Sequence, residues 1–211
     1  MTAATLPSVL TKHSAVWISM ASVAFAVACG ALLVVAIGVP LGDALAAFAE
    51  GAWGTPYAIA ASINRALALG LVGLGFVFAN RAQLTNVGGE GQIAVGGITA
   101  TAVALYGGAA TLPAPFSFLL PMAAAALVGG LWGGVAGVLK AKVGTNEVIS
   151  TLLLSFIAVW LLYWSVQSVA LLRQPMTTTA TLPESKEIPL PTQLPLLGDD
   201  AGMPLHIGLL L

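Results

Sequence analysis

The stretch NVGGEGQ, residues 86–92, sets two amides, one carboxylate and three glycines between long apolar runs. A loop in water tolerates such residues without any special arrangement. A lipid bilayer tolerates them only where they end a helix or line a cavity that shields them from the lipid. The meaning of the stretch therefore depends on the medium that surrounds the rest of the chain.

The composition excludes an ordinary water-soluble domain. Of the 211 residues, 58% are hydrophobic and only 7% are charged, and the mean hydropathy is +0.98, whereas about a quarter of the residues of a soluble domain are charged. A net charge of -1 provides no basic surface for nucleic acid. The single cysteine, Cys29, lies in an apolar run, and we interpret it as a small packing residue rather than a redox group.

Apolar segments of about 20 residues are long enough to cross a bilayer as helices. They predict an all-α, polytopic transmembrane bundle, residues 16–172, with five complete spans at 16–39, 57–80, 87–106, 116–139 and 147–172. Residues 1–15 form a predicted cytoplasmic N-terminus. The amphipathic residues 40–56 are predicted to lie at the membrane interface.

The segment 173–203 is rich in proline and threonine and predicts an extramembrane loop, because proline interrupts long helices. Apolar residues resume at 204–211, but eight residues cannot cross a bilayer. We expect the start of a sixth span there, and a natural protein that continues beyond it.

The orientation follows from the lysines and arginines of the short loops, which favour the cytoplasmic side. A cytoplasmic N-terminus places four of them inside and two outside, leaving uncounted Arg65, which falls within the second span: Lys12, Arg81, Lys140 and Lys142 against Arg173 and Lys186. The loop 173–203 is then extracytoplasmic.

The fourth span contains GGLWGGVAG, residues 129–137, in which Gly129, Gly133 and Gly137 recur every four residues. Helices in lipid associate through close backbone approach, which glycine permits. We predict that these three glycines form a helix-packing face.

Two interpretations of residues 86–92 stay open at this point. In the first, Asn86 caps the third span and Glu90 lies in its first turn, where an acid complements the positive helix end. In the second, a broken helix lines a polar cavity. The segment KAKVGTNEVIST, residues 140–151, allows a similar pair of interpretations: Asn146 and Glu147 begin a helix, or they contact a partner subunit on the cytoplasmic side.

Two motifs carry a resemblance to a known family. The segment NVGGEGQIAVGG resembles the N-[IV]-G-x-E-G-Q motif of the permeases of ATP-binding-cassette importers for simple sugars, nucleosides and branched-chain amino acids. The segment LKAKVGTNEVISTLLLSFIA is similar to the matching stretch of the nucleoside and simple-sugar branch. Gly89 stands where that pattern often has alanine or serine.

The resemblance implies a permease subunit of the bacterial inner membrane that has no cofactor of its own. It implies cytoplasmic ATPase subunits that hold the ATP, a second permease subunit and an extracytoplasmic solute-binding protein as partners. Asn86, Glu90 and Gln92 would line or support the solute path. Nucleosides are the first expectation for the solute, simple sugars the second and branched-chain amino acids the third.

Two other functions compete with this expectation. A secondary transporter or channel would use Glu90 as a proton or ion site. An intramembrane enzyme is disfavoured, because His13 and His206 lie outside the five predicted spans and no pair of nucleophile and base remains within them. No catalytic residue and no metal ligand is predicted.

Overall fold

The computed structural model describes residues 8–176, 182–197 and 205–209. Its helices are α1 (Ser8–Ala36), α2 (Leu41–Ala49), α3 (Pro56–Arg81), α4 (Gly89–Tyr106), α5 (Phe116–Val143) and α6 (Glu147–Gln167). A π-helical turn, Glu50–Gly54, follows α2, and three short 3-10 turns lie at Ala109–Thr111, Leu190–Thr192 and Ile207–Leu209. Within these ranges, pairing between extended segments is limited to two isolated bridges. The prediction of an all-helical chain is confirmed for this part of the molecule.

The ends of the helices follow local chemistry. Thr55 Oγ1 accepts the backbone N–H of Ala58 (3.0 Å), and Pro56 stands at the first helical position of α3, where its missing N–H costs nothing. Gly144 ends α5 with a φ of 72°, a backbone conformation that glycine adopts without strain. Asn146 then caps α6, because its side-chain oxygen accepts the N–H groups of Val148 and Ile149.

The chain divides into two compact units, and the boundary falls inside α3 between residues 62 and 63. In the first unit, α1 contacts α2. The Ser62 hydroxyl donates to the carbonyl of Ala52 (3.1 Å). That bond holds the π-helical turn against the beginning of α3.

In the second unit, α4 contacts both α5 and α6, and α5 contacts α6. A cluster of Ala94, Val95 and Ala158 lies where the three helices meet, with Trp132 packed against it. The first half of α4 therefore contributes two residues to the core of this unit.

Small residues are buried and large apolar residues are exposed, the reverse of a soluble protein. The buried side chains are mainly those of alanine, serine and threonine, whereas Trp17, Phe25 and Trp160 are 68%, 72% and 72% exposed. Among the described residues, four helices are long and apolar enough to cross a membrane: Val16–Ala36, Pro56–Arg81, Phe116–Val143 and Glu147–Gln167. This pattern is typical of helices that pack through small residues in lipid.

The boundary predicted for the fifth span was wrong at its C-terminal end. Helix α6 stops at Gln167 rather than at residue 172. The next residues turn back, because the N–H of Leu172 donates to Ser165 and the Tyr106 hydroxyl donates to the carbonyl of Leu171 (2.6 Å). Tertiary hydrogen bonds thus replace the last helical turn.

The count of five complete spans stays a prediction. Helix α4 matches the predicted third span but is not among the four apolar helices. The described part of 204–211 holds the 3-10 turn Ile207–Leu209 and a bridge from His206 to Leu196. The start of a sixth span at 204–211 is likewise untested, and its residues 204, 210 and 211 lie outside the described ranges. So do residues 1–7 of the predicted tail and residues 177–181 and 198–203 of the predicted loop.

Candidate functional site

Two hydroxyl groups of α6 accept hydrogen bonds from backbone N–H groups at the beginning of α4. The N–H of Val87 donates to Thr151 Oγ1 and the N–H of Gly91 donates to Ser155 Oγ, both at 3.3 Å. Thr151 and Ser155 are buried. Because the first N–H groups of a helix have no partner in the helix itself, these hydroxyls satisfy donors that lipid would leave unpaired.

The three glycines of the segment 86–92 face two different helices. A Cβ atom at Gly91 would lie 2.6 Å from the Cα of Ser155, and one at Gly88 would lie 3.0 Å from the Cβ of Thr151. A Cβ at Gly89 would lie 2.6 Å from Cγ1 of Val72 in α3. Each glycine therefore permits an approach that alanine would obstruct.

Gln92 lies against α5 at two of the predicted packing glycines. A Cβ atom at Gly129 would lie 3.1 Å from the carbonyl oxygen of Gln92, and one at Gly133 would overlap the Gln92 side-chain amide. A Cβ at Gly137 would meet nothing within 4 Å. Gly129 and Gly133 thus make room for Gln92, whereas Gly137 makes no such contact in this chain.

A cavity of about 580 Å³, called here the amide cavity, opens between α3, α4 and α5. Val72 belongs to its α3 wall, Gly129 and Gly130 to its α5 wall, and Asn86, Gly89 and Gln92 to its α4 wall. Among its described lining residues, Asn86 and Gln92 have the only polar side chains, and none is an acid or a base. The structure thus brings two of the three predicted path residues to one cavity.

Glu90, the third of these residues, does not line the amide cavity. It lies in the first turn of α4, as the capping interpretation predicts, and its side chain is exposed. In the described part of the chain the ion pair found is the one between Lys140 and Glu147, so Glu90 has no basic partner there.

The capping interpretation was wrong for Asn86. The N-cap of α4 is Gly88, and it makes no side-chain cap hydrogen bond. The Asn86 oxygen instead accepts the N–H of Gly88 (2.9 Å), a local turn that asparagine commonly forms. The Asn86 amide nitrogen is left as a donor at the cavity wall. The Gln92 side chain makes no hydrogen bond with any residue that the structure describes.

Asn146 and Glu147 lie apart from the amide cavity, at the connection between α5 and α6. Asn146 is the N-cap of α6 and Glu147 lies in its first turn, as the helix-start interpretation predicts. A carboxylate oxygen of Glu147 lies 2.6 Å from Lys140 Nζ. Their proposed contact with a partner subunit stays a prediction.

Sequence reasoning missed Thr151 and Ser155, the two hydroxyls that hold α4. Their spacing of four residues within an apolar span puts both on one helix face, a signal that hydropathy averages conceal. Which helix that face meets is a property of the packing alone.

Comparisons with known proteins find a family and two relatives of this chain. Residues 58–184 match the family described as "Branched-chain amino acid transport system / permease component". The chain is 32% identical to the guanosine ABC transporter permease protein of Bacillus subtilis (strain 168), over 72% of this chain and 43% of that protein. It is 33% identical to the glucose ABC transporter permease protein of Haloferax volcanii, over 88% of this chain and 49% of that protein.

The chain spans about half the length of these two relatives. No solved structure matches it significantly. The family match covers more than half of the chain, including both sequence motifs and helices α4, α5 and α6. The chain therefore belongs to the family of permease components of branched-chain amino acid transport systems.

Proposed function

We propose that the protein is a permease subunit of an ATP-binding-cassette importer and moves an uncharged polar solute, a nucleoside or a simple sugar. The amide cavity carries this proposal. Its polar side chains are the amides of Asn86 and Gln92, which donate and accept hydrogen bonds and so suit hydroxyl and carbonyl groups.

The described lining of the amide cavity carries no acidic or basic side chain, which argues against an amino acid as the solute. A zwitterionic amino acid would bring a carboxylate and an ammonium group to a wall without acids or bases. Burying unpaired charges is far more costly than burying hydroxyl groups that are hydrogen-bonded. The two relatives are named for guanosine and glucose, both uncharged, and this supports the same solute class.

The proposed topology has five complete spans and the start of a sixth at residues 204–211, in the inner membrane, with the N-terminus in the cytoplasm. Helix α4 is the fifth complete span. Its 18 residues extend about 27 Å, close to the roughly 30 Å of the hydrocarbon core. In its first turn the N–H of Gly91 is satisfied by the Ser155 hydroxyl of α6.

The energy for transport would come from ATP that partner subunits bind and hydrolyse. Two cytoplasmic ATPases, a second permease subunit and an extracytoplasmic solute-binding protein would complete the transporter. ATP binding to the ATPases would shift the permease between states open to either side, because the two states bind their partners with different affinity.

The alternative function, a secondary transporter or channel, is supported neither by the family match nor by the position of Glu90. The family is that of a transport-system permease component. Glu90, the residue that would serve as its ion site, does not line the amide cavity.

The test uses the full-length protein assembled with its ATPases in proteoliposomes, with labelled nucleoside, glucose and leucine as solutes. We expect ATP-dependent uptake of an uncharged solute and none of leucine. Gln92→Met keeps the length of the side chain and removes its amide. Losing one or two hydrogen bonds of about 1 kcal/mol each should reduce uptake by about 10-fold.

Gln167→Met is the matched control, since Gln167 is an exposed glutamine at the end of α6 and lines no described cavity. It should transport like the unmodified protein. Uptake of leucine alone, or uptake that needs a proton gradient and no ATP, would contradict the proposal. So would a Gln92→Met protein with unchanged uptake.

A further inference from the structure

A second cavity is lined by α4 and α5, two of the three helices that line the amide cavity. It has a volume of about 560 Å³ and lies between α4, α5, residues of the segment 188–196 and His206. We call it the loop cavity. Its polar lining consists of Thr101 on α4 together with Thr192, Gln193 and His206.

The two cavities follow one face of α4 and share one residue. Gly89, Gln92 and Gly96 line the amide cavity, Ala104 lines the loop cavity, and Ala100 lines both. These positions recur every three or four residues, a spacing that keeps them on one side of a helix. From Gly89 to Ala104 the helix rises about 22 Å, most of the thickness of a hydrocarbon core.

Helix α5 repeats the arrangement on the opposite wall. Phe118 and Met122 line the loop cavity, and Ala125 and Gly129 continue the same face in the amide cavity. The spacing is again three or four residues. The two cavities are thus sections of one groove between α4 and α5, and they meet beside Ala100.

Polar groups stand at both ends of the groove, and small residues form its middle. The Gln193 side-chain nitrogen donates to the carbonyl of Ile188 (3.0 Å), which leaves its amide oxygen as an acceptor. Pro121 lines the loop cavity and has no N–H, so the carbonyl four residues earlier loses its helical partner. Among the residues that the structure describes, no Asp, Glu, Lys or Arg lines either cavity.

We propose that the loop cavity is a second binding site for the uncharged polar solute and that Ala100 forms the constriction between the two sites. The solute would pass along the α4–α5 groove, exchanging hydrogen bonds with Thr101 and Gln193 for hydrogen bonds with Asn86 and Gln92. The side chain at position 100 limits this passage, because it lies where the two cavities meet. This inference rests on the proposed function.

The first experiment enlarges the side chain at the constriction in the assembled full-length transporter. Uptake of the uncharged solute should be near normal for Ala100→Gly, reduced for Ala100→Val and at least 10-fold lower for Ala100→Phe. Ala123→Phe makes the same change at an exposed position of α5 that lines neither cavity, and it should leave uptake unchanged. Co-purification of the ATPases verifies that every variant assembles.

The second experiment probes the loop cavity directly. Thr101→Cys, in a transporter without other cysteines, is treated with a membrane-impermeant thiol reagent from each side of the membrane. The uncharged solute at saturating concentration should slow its modification several-fold. Thr111→Cys, at an exposed turn that lines no described cavity, should react equally fast with and without solute.

The outcomes separate the two proposals. If the unmodified transporter moves the solute and Ala100→Phe moves it equally well, the constriction is refuted and the permease function stands. If the solute does not slow the modification of Thr101→Cys, the second site is refuted in the same way. If the unmodified transporter moves no uncharged solute, both proposals fall.

Discussion

At the scale of single residues, the glycines of the segment 86–92 have distinct neighbours. Gly88 and Gly91 face α6, and Gly89 faces Val72 of α3. In lipid, where helices gain little from burying apolar surface against each other, such close approaches provide much of the association energy. The glycines therefore position the two amides, Asn86 and Gln92, at the cavity wall.

A methyl group at Gly91 should destabilise the protein. Gly91→Ala would place a Cβ atom 2.6 Å from the Ser155 backbone, so α4 and α6 would have to separate, at a cost of about 1 to 3 kcal/mol. Thermal unfolding of the full-length protein in detergent measures the effect as a lowered Tm.

Gly97→Ala is the matched control on the same helix, because a Cβ there would meet nothing within 4 Å. Alanine stabilises a helix by up to about 1 kcal/mol relative to glycine, so this variant should have an equal or higher Tm. Equal Tm values for the two variants would show that the contact of Gly91 with α6 is unimportant.

At the scale of helices, α4 begins with a polar turn and packs against both α5 and α6. Its beginning carries Glu90 and Gln92. Two hydroxyls of α6 accept the N–H of Gly91 in its first turn and the N–H of Val87 just before the helix, whereas no side chain caps it. A buried N–H without a partner costs about 1 to 3 kcal/mol. The hydroxyls of Thr151 and Ser155 thus allow a polar helix start to be placed inside the bundle.

Removing one of these hydroxyls should weaken the packing of α4. Ser155→Ala leaves the N–H of Gly91 unpaired and should cost about 1 to 3 kcal/mol. Ser165→Ala is the matched control, because the hydroxyl of Ser165 donates only to the carbonyl of Leu162 in its own helix.

Hydrogen exchange of the Gly91 amide measures the effect locally, and the Tm measures it globally. Ser155→Ala should speed exchange at Gly91 and lower the Tm, while Ser165→Ala should do neither to a comparable extent. Unchanged exchange in Ser155→Ala would refute the role of α6 in holding α4.

At the scale of the whole molecule, many large apolar side chains are exposed, and most of the described charged residues lie near helix ends or between helices, Arg65 of α3 being an exception. Lys140, Lys142 and Glu147 surround the connection between α5 and α6. Arg173, Glu184 and Lys186 lie in the predicted extramembrane segment 173–203. The excess of basic residues on one side orients a membrane protein. The two groups are expected on opposite sides of the membrane.

Cysteine labelling in intact cells tests this orientation. Leu190→Cys, at a position 78% exposed in the extramembrane segment, should react with an impermeant maleimide added outside. Lys142→Cys, exposed near the end of α5, should react only after the membrane is permeabilised. The opposite pattern would reverse the assigned topology. Reaction of both cysteines from outside would contradict the single membrane crossing that α6 is expected to make between them.

Much of the local structure could be predicted from the sequence. Hydropathy predicted the positions of α1, α3, α5 and α6, and most of the predicted helix ends lie within three residues of the observed ones. It could do so because a bilayer of fixed thickness requires apolar runs of a fixed length. The Asn146 cap followed from the preference of asparagine for that position. The family motifs also lie within the region that matches a permease component.

Only the tertiary structure decided which residues meet. It ended α6 at Gln167, because Leu172 and Gln174 bond to the segment 184–186 instead of continuing the helix. It brought Asn86 and Gln92 to one cavity and left Glu90 outside it. Apolar length and capping are local properties of a chain, whereas the rotation of each helix about its axis is set by close packing against its neighbours.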